Sequence, residues 1–418
     1  MTRSRVIIVG GGFGGLAAAK ALHRQPVDIL LIDRCNHHVF QPLLYQVAGA
    51  ALAPGDIAEP IRAIVGTQDN VEVLLGEVTG IDLEARRVTV DGTTTRAYDT
   101  LVLAAGMVNH WFGNDGWEVH APGLKTLDDA LEIRRRILLS YERAEWCEDE
   151  AERWALLTFV VVGGGPTGVE LAGALKEIGV QTLRRDFRHI HPEQARVILV
   201  EGAPAVLQTF GGDLPTKARA QLEHLGVEVR TDTHVSAIDA RGVTLGDDRI
   251  DAATVLWAAG VRAAEVGARL GVLMDRTGRV IVEPDLSIPG HPEVMVIGDL
   301  AHFSHQTTTG LPGVAQVALQ MGKHVARNLS ADAKGCPRKP FRYRDFGSMA
   351  TVGRKLAVAE IGGLRFAGFI AWLIWLFVHL IALVGFRNRL VVLTQWSWNY
   401  FTNERNSRLI RGEGSRLD

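Results

Sequence analysis

Cysteine is scarce in this chain: 418 residues hold only Cys35, Cys147 and Cys336, far apart in sequence. No Cys-x-x-Cys pair and no Cys/His cluster at ligand spacing is present, so neither a dithiol redox centre nor a metal site is expected. Buried structural thiols are the expected state of all three. Charge of one sign is also lacking. Forty-five Lys and Arg face 47 Asp and Glu, and a net charge of −2 gives no electrostatic case for nucleic acid. Met1-Thr2-Arg3-Ser4-Arg5 run straight into the apolar Val6, which leaves no room for a cleaved signal and points to a cytoplasmic active side. Long apolar runs are absent, with one exception near the C-terminus.

What the chain does have is glycine, 45 residues, and one glycine pattern occurs twice. The first copy is Val6-Ile7-Ile8-Val9-Gly10-Gly11-Gly12-Phe13-Gly14-Gly15. The second is Phe159-Val160-Val161-Val162-Gly163-Gly164-Gly165-Pro166-Thr167-Gly168. Each joins a β-branched run to an Ala/Leu-rich helical pattern. In such a strand–turn–helix unit the first glycine makes the turn and the second admits a pyrophosphate. The third lets helix and strand close together, with the helix N-terminus facing the phosphates. Gly10, Gly12 and Gly15 fill these places in one copy, and Gly163, Gly165 and Gly168 in the other.

A carboxylate for the ribose hydroxyls is expected at the end of the following strand. Asp28–Ile32 ends at Asp33, and Arg196–Val200 ends at Glu201. The longer path to Glu201 passes through the polar stretch 181–194, read as a helix end plus loop. Gly202 and Ala203 follow Glu201 with no arginine to neutralise a 2′-phosphate. The second site should therefore prefer NADH to NADPH.

Thr100-Leu-Val-Leu-Ala-Ala-Gly106 and Thr254-Val-Leu-Trp-Ala-Ala-Gly260 form a second repeated pair. The chain is thus expected to be α/β, with two Rossmann-like dinucleotide-binding domains, the second inserted in the first. Val294-Met-Val-Ile-Gly-Asp299 is a strand that should return the chain to the first domain. The boundaries read from these signals are 1–120 with 285–335 for the first domain and 121–284 for the second. Residues 336–418 make up a C-terminal region. Residues 124–150 have the apolar spacing of one long charged helix without catalytic content, and 332–340 read as a linker.

Within the C-terminal region, residues 367–386 are 20 in number and carry no formal charge. A buried helix, a membrane span and an interfacial anchor all compete for this run. Beyond it lie six arginines (387, 389, 405, 408, 411, 416) against Glu404, Glu413 and Asp418, a tail awkward to translocate and suited to anionic headgroups. His379 within the run disfavours a deep span. The favoured reading is a monotopic helical anchor with Trp372, Trp375, Trp396 and Trp398 at headgroup depth.

These residues together resemble the type II NADH dehydrogenases, single-subunit NADH:quinone oxidoreductases that hold FAD and pump no protons. The stretches that carry the resemblance are Val9 to Gly15, Phe40-Gln-Pro-Leu-Leu-Tyr-Gln-Val-Ala48 and Gly163 to Gly173. Ile297-Gly-Asp299, Ala315-Gln-Val-Ala-Leu-Gln320 and the Trp-rich segment from Ala371 to Arg389 complete them. The resemblance implies non-covalent FAD held by Gly10, Gly12, Phe13, Gly14, Gly15, Asp33, Ala105, Gly106 and Asp299. NADH, the co-substrate, would lie on Gly163, Gly165, Thr167, Gly168 and Glu201. Glu170 would stand near the nicotinamide, with Gln316 and Gln320 beside the flavin ring where a membrane quinone arrives. It further implies a peripheral protein on the cytoplasmic face of the membrane and leaves room for a homodimer. A sulfide:quinone oxidoreductase and an NADH-dependent reductase of a small redox protein are the alternatives. The first would need paired cysteines, and the second would have no use for the apolar tail.

Overall fold

Strand Ser4–Val9 lies at the middle of a six-stranded sheet in the computed structural model, which describes residues 3–402 and 407–410. Its neighbours are Val27–Asp33 on one side and Thr100–Leu103 on the other, both parallel. Val71–Leu75 extends the sheet beyond Val27–Asp33. His291–Val296 pairs parallel with Thr100–Leu103 and brings the chain back to this sheet, as Val294–Asp299 promised. Strands covered on both faces can be continuously apolar. Ile7, Ile8, Leu31, Leu101 and Val102 are all buried accordingly. Helices Phe13–Ala21 and Ala315–Asp332 pack closely, since a Cβ on Gly322 would fall 2.3 Å from the Gly14 carbonyl oxygen.

A second parallel sheet repeats the plan in four strands: Val227–Arg230, Arg196–Val200, Thr158–Val162 and Thr254–Trp257. The register repeats as well. Val9 pairs with Ile32 and Leu103, and Val162 pairs with Val200 and Trp257. Helix Pro166–Glu177 follows the second glycine turn. On it packs an antiparallel meander, Ser348–Gly353, Leu356–Ile361 and Leu364–Ala367. Gly173 makes that approach possible, as a Cβ there would meet the Val352 carbonyl oxygen at 1.7 Å.

By packing, the chain forms two units. One is Met1–His38, Ala58–Val108 and Val261–Asp345; the other is Val39–Ile57, Asn109–Gly260 and Phe346–Asp418. Compared with divisions at 120, 284 and 335, residues 39–57, 109–120 and 346–418 join the second nucleotide unit. Residues 261–284 and 336–345 join the first. Packing supplies the reason: Tyr45 bonds Thr351 at 2.9 Å, and the C-terminal meander lies on the second glycine helix.

The long charged helix is shorter than its apolar spacing suggested. It runs Leu127–Trp146 from a capping box made by Thr126 and Asp129, and a separate helix, Glu150–Leu156, follows an Asp149 cap. The cysteines also differ from expectation. Cys35 and Cys336 are exposed and Cys147 is half-buried, all three as free thiols, because the first two sit in a strand-end turn and in the linker rather than in a core.

The apolar run breaks too. Its helix spans only Phe369–Ala382, 14 residues, or roughly 21 Å against a hydrocarbon core of about 30 Å. Leu383 is extended and Gly385 has φ +84°, so a second helix, Phe386–Thr402, starts in a new direction. Among the described residues no helix is long and apolar enough to cross a membrane. Of the tail arginines, Arg389 bonds the Leu383 carbonyl at 2.8 Å and Arg408 pairs with Asp186. Glu404, Arg405, Arg411, Glu413, Arg416 and Asp418 lie outside the described residues, as does the side chain of Arg387.

Candidate functional site

Each acid at a strand end grips its own glycine turn. Asp33 Oδ2 accepts the Gly11 N–H at 2.5 Å and Oδ1 the Cys35 N–H at 2.7 Å. Glu201 Oε2 accepts the Gly164 N–H at 2.5 Å and Oε1 the Ala203 N–H at 2.8 Å. Thus both oxygens of both acids are oriented from the backbone, and each keeps a lone pair for a hydroxyl donor. The helices behind the turns start at Gly12 and Gly165 with no side-chain cap and no acid in the first turn. Added Cβ atoms at these two glycines would meet nothing within 4 Å. Each therefore offers the open, positively poled helix end that a pyrophosphate requires.

The remaining residues expected to hold the flavin nucleotide gather at the same strand ends of the first unit. Gly10 lies against Ala104 and Ala105, where a Cβ would fall 2.4 Å from the Ala104 oxygen, and Gly14 packs on Ile297. Gly106 has φ +70°, and Asp299 sits in the turn Gly298–Leu300 with its carboxylate against Gly313. Phe13 meets the His38 ring edge-on at 4.9 Å. His38 Nδ1 donates to the Gly11 carbonyl at 3.1 Å, and burial pushes its pKa down to about 4. His38 is therefore neutral, with Nε2 left as an acceptor. This whole constellation fits a bound FAD. Thr167 is exposed on the first turn of the second helix.

Glu170 opens on a cavity in the second unit, lined also by Tyr45, Gln46, Thr351, Trp375 and Trp396. Among the described residues its one hydrogen-bond partner is the Thr351 N–H, at 3.3 Å from Oε1. Withdrawal from water outweighs that bond and raises the carboxyl pKa to about 8. A carboxyl so placed holds a proton at neutral pH and can exchange it. A polar chain runs along the wall: Trp396 Nε1 donates to Gln46 Oε1 at 2.8 Å, and Gln46 Nε2 donates to Tyr45 at 3.0 Å. The Tyr45 hydroxyl then meets Thr351 Oγ1 at 2.9 Å. Burial, and next the Glu170 carboxylate, push the Tyr45 hydroxyl above its ordinary range. Tyr45 therefore keeps its proton.

Trp375, expected at headgroup depth, is instead 2% exposed and stacks on His379 at 4.3 Å. Trp372 and Trp396 also face the cavity, and only Trp398 of the four is exposed, at 53%. His379 donates from Nδ1 to the Trp375 carbonyl at 2.8 Å, and burial lowers its pKa to about 4. The histidine is thus neutral, which removes it as an obstacle to an apolar setting.

Gln316 and Gln320 share one face of helix Ala315–Asp332 in the first unit. Gln320 pairs both ways with the Arg344 backbone, donating at 2.8 Å and accepting at 3.0 Å, and Gln316 reaches Asp345 at 3.5 Å. The two side chains hold the 344–345 segment against the helix. Neither His38 nor the Tyr45–Gln46–Thr351 wall was assigned a role from sequence. The signal for Tyr45 and Gln46 was the Phe40-Gln-Pro-Leu-Leu-Tyr-Gln stretch, whose spacing says nothing of a partner some 300 residues away.

Comparison with known proteins agrees with this layout. Residues 4–322 match the pyridine nucleotide-disulphide oxidoreductase family, and residues 346–404 match the NDH2 C-terminal domain. The chain is 49% identical to the type II NADH:quinone oxidoreductase NdhA of Mycobacterium tuberculosis, over 98% of this chain and 90% of that protein. It is 48% identical to Ndh of the same organism with the same coverage. Among solved structures, NDH2 of Plasmodium falciparum in complex with NADH has a TM-score of 0.89 at 18% identity. The match covers 97% of this chain and 99% of that one. The sulfide:quinone oxidoreductase of Aquifex aeolicus reaches 0.73 at 20% identity, covering 98% and 93%. At such identities the likeness is one of fold.

Proposed function

The chain belongs to the type II NADH:quinone oxidoreductases, within the pyridine nucleotide-disulphide oxidoreductase family, and on that footing we propose that it passes electrons from NADH, by way of FAD, to a quinone without pumping protons. The observation that carries this reading is the pair of matched carboxylate clamps, since two dinucleotide ends in one chain provide a donor and a carrier. FAD, when bound, supplies the two-electron carrier between a hydride donor and a quinone. The chain's own residues bind, orient and manage protons. Gly10, Gly12, Phe13, Gly14, Gly15, Asp33, Ala105, Gly106 and Asp299 hold FAD. Gly163, Gly165, Thr167, Gly168 and Glu201 hold NADH, the coenzyme preferred over NADPH. On this reading 261–345 serves the FAD unit with 1–38 and 58–108.

Glu170 is the proton-exchanging group of the aromatic cavity, protonated at Oε at neutral pH. Gln316 and Gln320 border the acceptor side, with Gln320 acting through the Arg344 segment it holds. Helix Phe369–Ala382 presents two faces. Ala371, Trp375 and His379 turn inward, while Ile370, Leu373, Phe377 and Ile381 form an exposed apolar stripe. Such a stripe supports docking on the surface of a lipid bilayer, the cytoplasmic one given the NADH supply, or burial in a homodimer. Three free thiols, two of them exposed, give no support to the sulfide:quinone alternative.

Rapid mixing tests the reading. NADH should bleach the flavin, and a quinone should restore its colour. Absence of bleaching would refute the donor half, and bleaching without recovery would refute the acceptor half. In the same experiment Gln320→Ala should slow recovery while leaving bleaching at the wild-type rate. Equal damage to both phases counts against an acceptor-side role. For the donor site, Glu201→Ala removes a charged partner worth about 1–3 kcal/mol, so KM for NADH should rise roughly 5- to 150-fold. Glu201→Gln should be milder, because one oxygen still accepts an N–H. An unchanged KM in the alanine variant would remove Glu201 from the site.

A further inference from the structure

The insertion 181–194 that delays the second acid strand has no part in the scheme above. It begins with a π-helical turn, Ile178–Thr182, and its tip carries Arg184, Arg185 and Arg188, all exposed. The tip is a built loop. Glu145 collects the N–H groups of Arg188, His189 and Ile190 at 2.8–3.1 Å. Asp186 pairs with Arg408, which lies beyond the last helix, and Glu193 faces His191 at 3.7 Å. Glu145 and Asp186 are thus engaged. Among the described residues, Arg184, Arg185 and Arg188 make no ion pair or side-chain hydrogen bond.

The loop stands beside the C-terminal helices. Gln181 lines the same cavity as Trp372 and Trp396, and the Asp186–Arg408 pair ties the loop to the end of the tail. From residue 361 to 403 the chain has no Asp or Glu at all. The exposed apolar stripe of Phe369–Ala382 and the exposed Leu390, Leu393 and Trp398 of the next helix therefore carry no acid of their own and adjoin three unopposed cations.

We infer that Arg184, Arg185 and Arg188 form a headgroup contact that directs this protein to leaflets of net negative charge. The inference rests on the bilayer-docking reading and adds a lipid preference to it. The apolar stripe would enter either kind of leaflet, whereas the arginines distinguish them. Each basic residue close to an anionic surface raises partition roughly fivefold, so three give on the order of a hundredfold.

Vesicle flotation of the FAD-loaded protein at low salt tests this. Wild type should bind vesicles of phosphatidylcholine mixed with phosphatidylglycerol about a hundredfold more tightly than vesicles of phosphatidylcholine alone. The triple variant Arg184→Gln/Arg185→Gln/Arg188→Gln should lose the preference and keep the weaker binding. The corresponding triple lysine variant should retain the preference. All three proteins should reduce a water-soluble quinone in detergent at equal rates, which excludes misfolding. Equal binding of wild type to both vesicles, or a preference that survives in the glutamine variant, overturns the inference. Failure of wild type to bind either vesicle overturns the docking reading and this inference with it.

Discussion

Gly15→Ala is expected to yield a folded protein almost devoid of FAD. The position lies in the first turn of helix Phe13–Ala21, where an added Cβ would fall 1.9 Å from the Gly10 carbonyl oxygen and 3.1 Å from its carbon. Both are backbone atoms, so no side-chain rotation relieves the clash. The helix must move away from strand Ser4–Val9, and it carries the open N-terminus at Gly12 with it. A displacement of this kind costs on the order of 3–4 kcal/mol, or roughly two to three decades in affinity for the nucleotide. Flavin absorbance per mole of purified protein reads the effect directly, with far-ultraviolet circular dichroism to report the fold. A variant with full flavin content would refute both the assignment of this turn and the packing on which it depends.

The second large effect is expected at Glu170. Glu170→Gln keeps the size of the side chain and an oxygen for the Thr351 N–H, but it holds no exchangeable acid proton. Loss of a positioned general acid costs typically 10²–10⁴-fold, so quinone turnover should fall by about a hundredfold or more. Hydride transfer from NADH consumes no carboxyl proton, so bleaching should fall far less, even with this side chain near the nicotinamide. The pH profile gives the sharper reading. Because burial raises this carboxyl to about 8, it is protonated below that pH and ionised above it. Wild-type quinone turnover should therefore decline as pH rises through 8, and the glutamine variant should be flat and low across the same range. The same alkaline decline in both proteins would assign it to another group.

The two glycine turns and their strand-end acids were almost entirely legible in the sequence. A glycine turn, a β-branched strand and an acid at the next strand end are local features, and chemistry that depends on them is written within some 40 residues. Asp33 and Glu201 accordingly sit where their spacing placed them. What local reading could not reach was pairing across long separations. Tyr45 finds Thr351, and Gln46 finds Trp396 350 residues later. No periodicity announces such partners. The break within the apolar run 367–386 escaped for a related reason. Hydropathy counted its residues as one length, while Leu383 and Gly385 divide it and Trp375 turns inward against His379. For the cysteines, composition favoured burial, and the turn beside Asp33 and the linker after Asp332 overrode that preference.

The matched clamps at Asp33 and Glu201 have a consequence for turnover. In each, the backbone alone orients both oxygens, so the carboxylate is aimed before any nucleotide arrives. Ordering of the site is completed when the chain folds and is not repeated at each encounter. For a cofactor that stays in place, this matters once in the life of the molecule. For a coenzyme that comes and goes in every cycle, as proposed at Glu201, it matters each time: no reorientation of this carboxylate is needed before the hydroxyls dock.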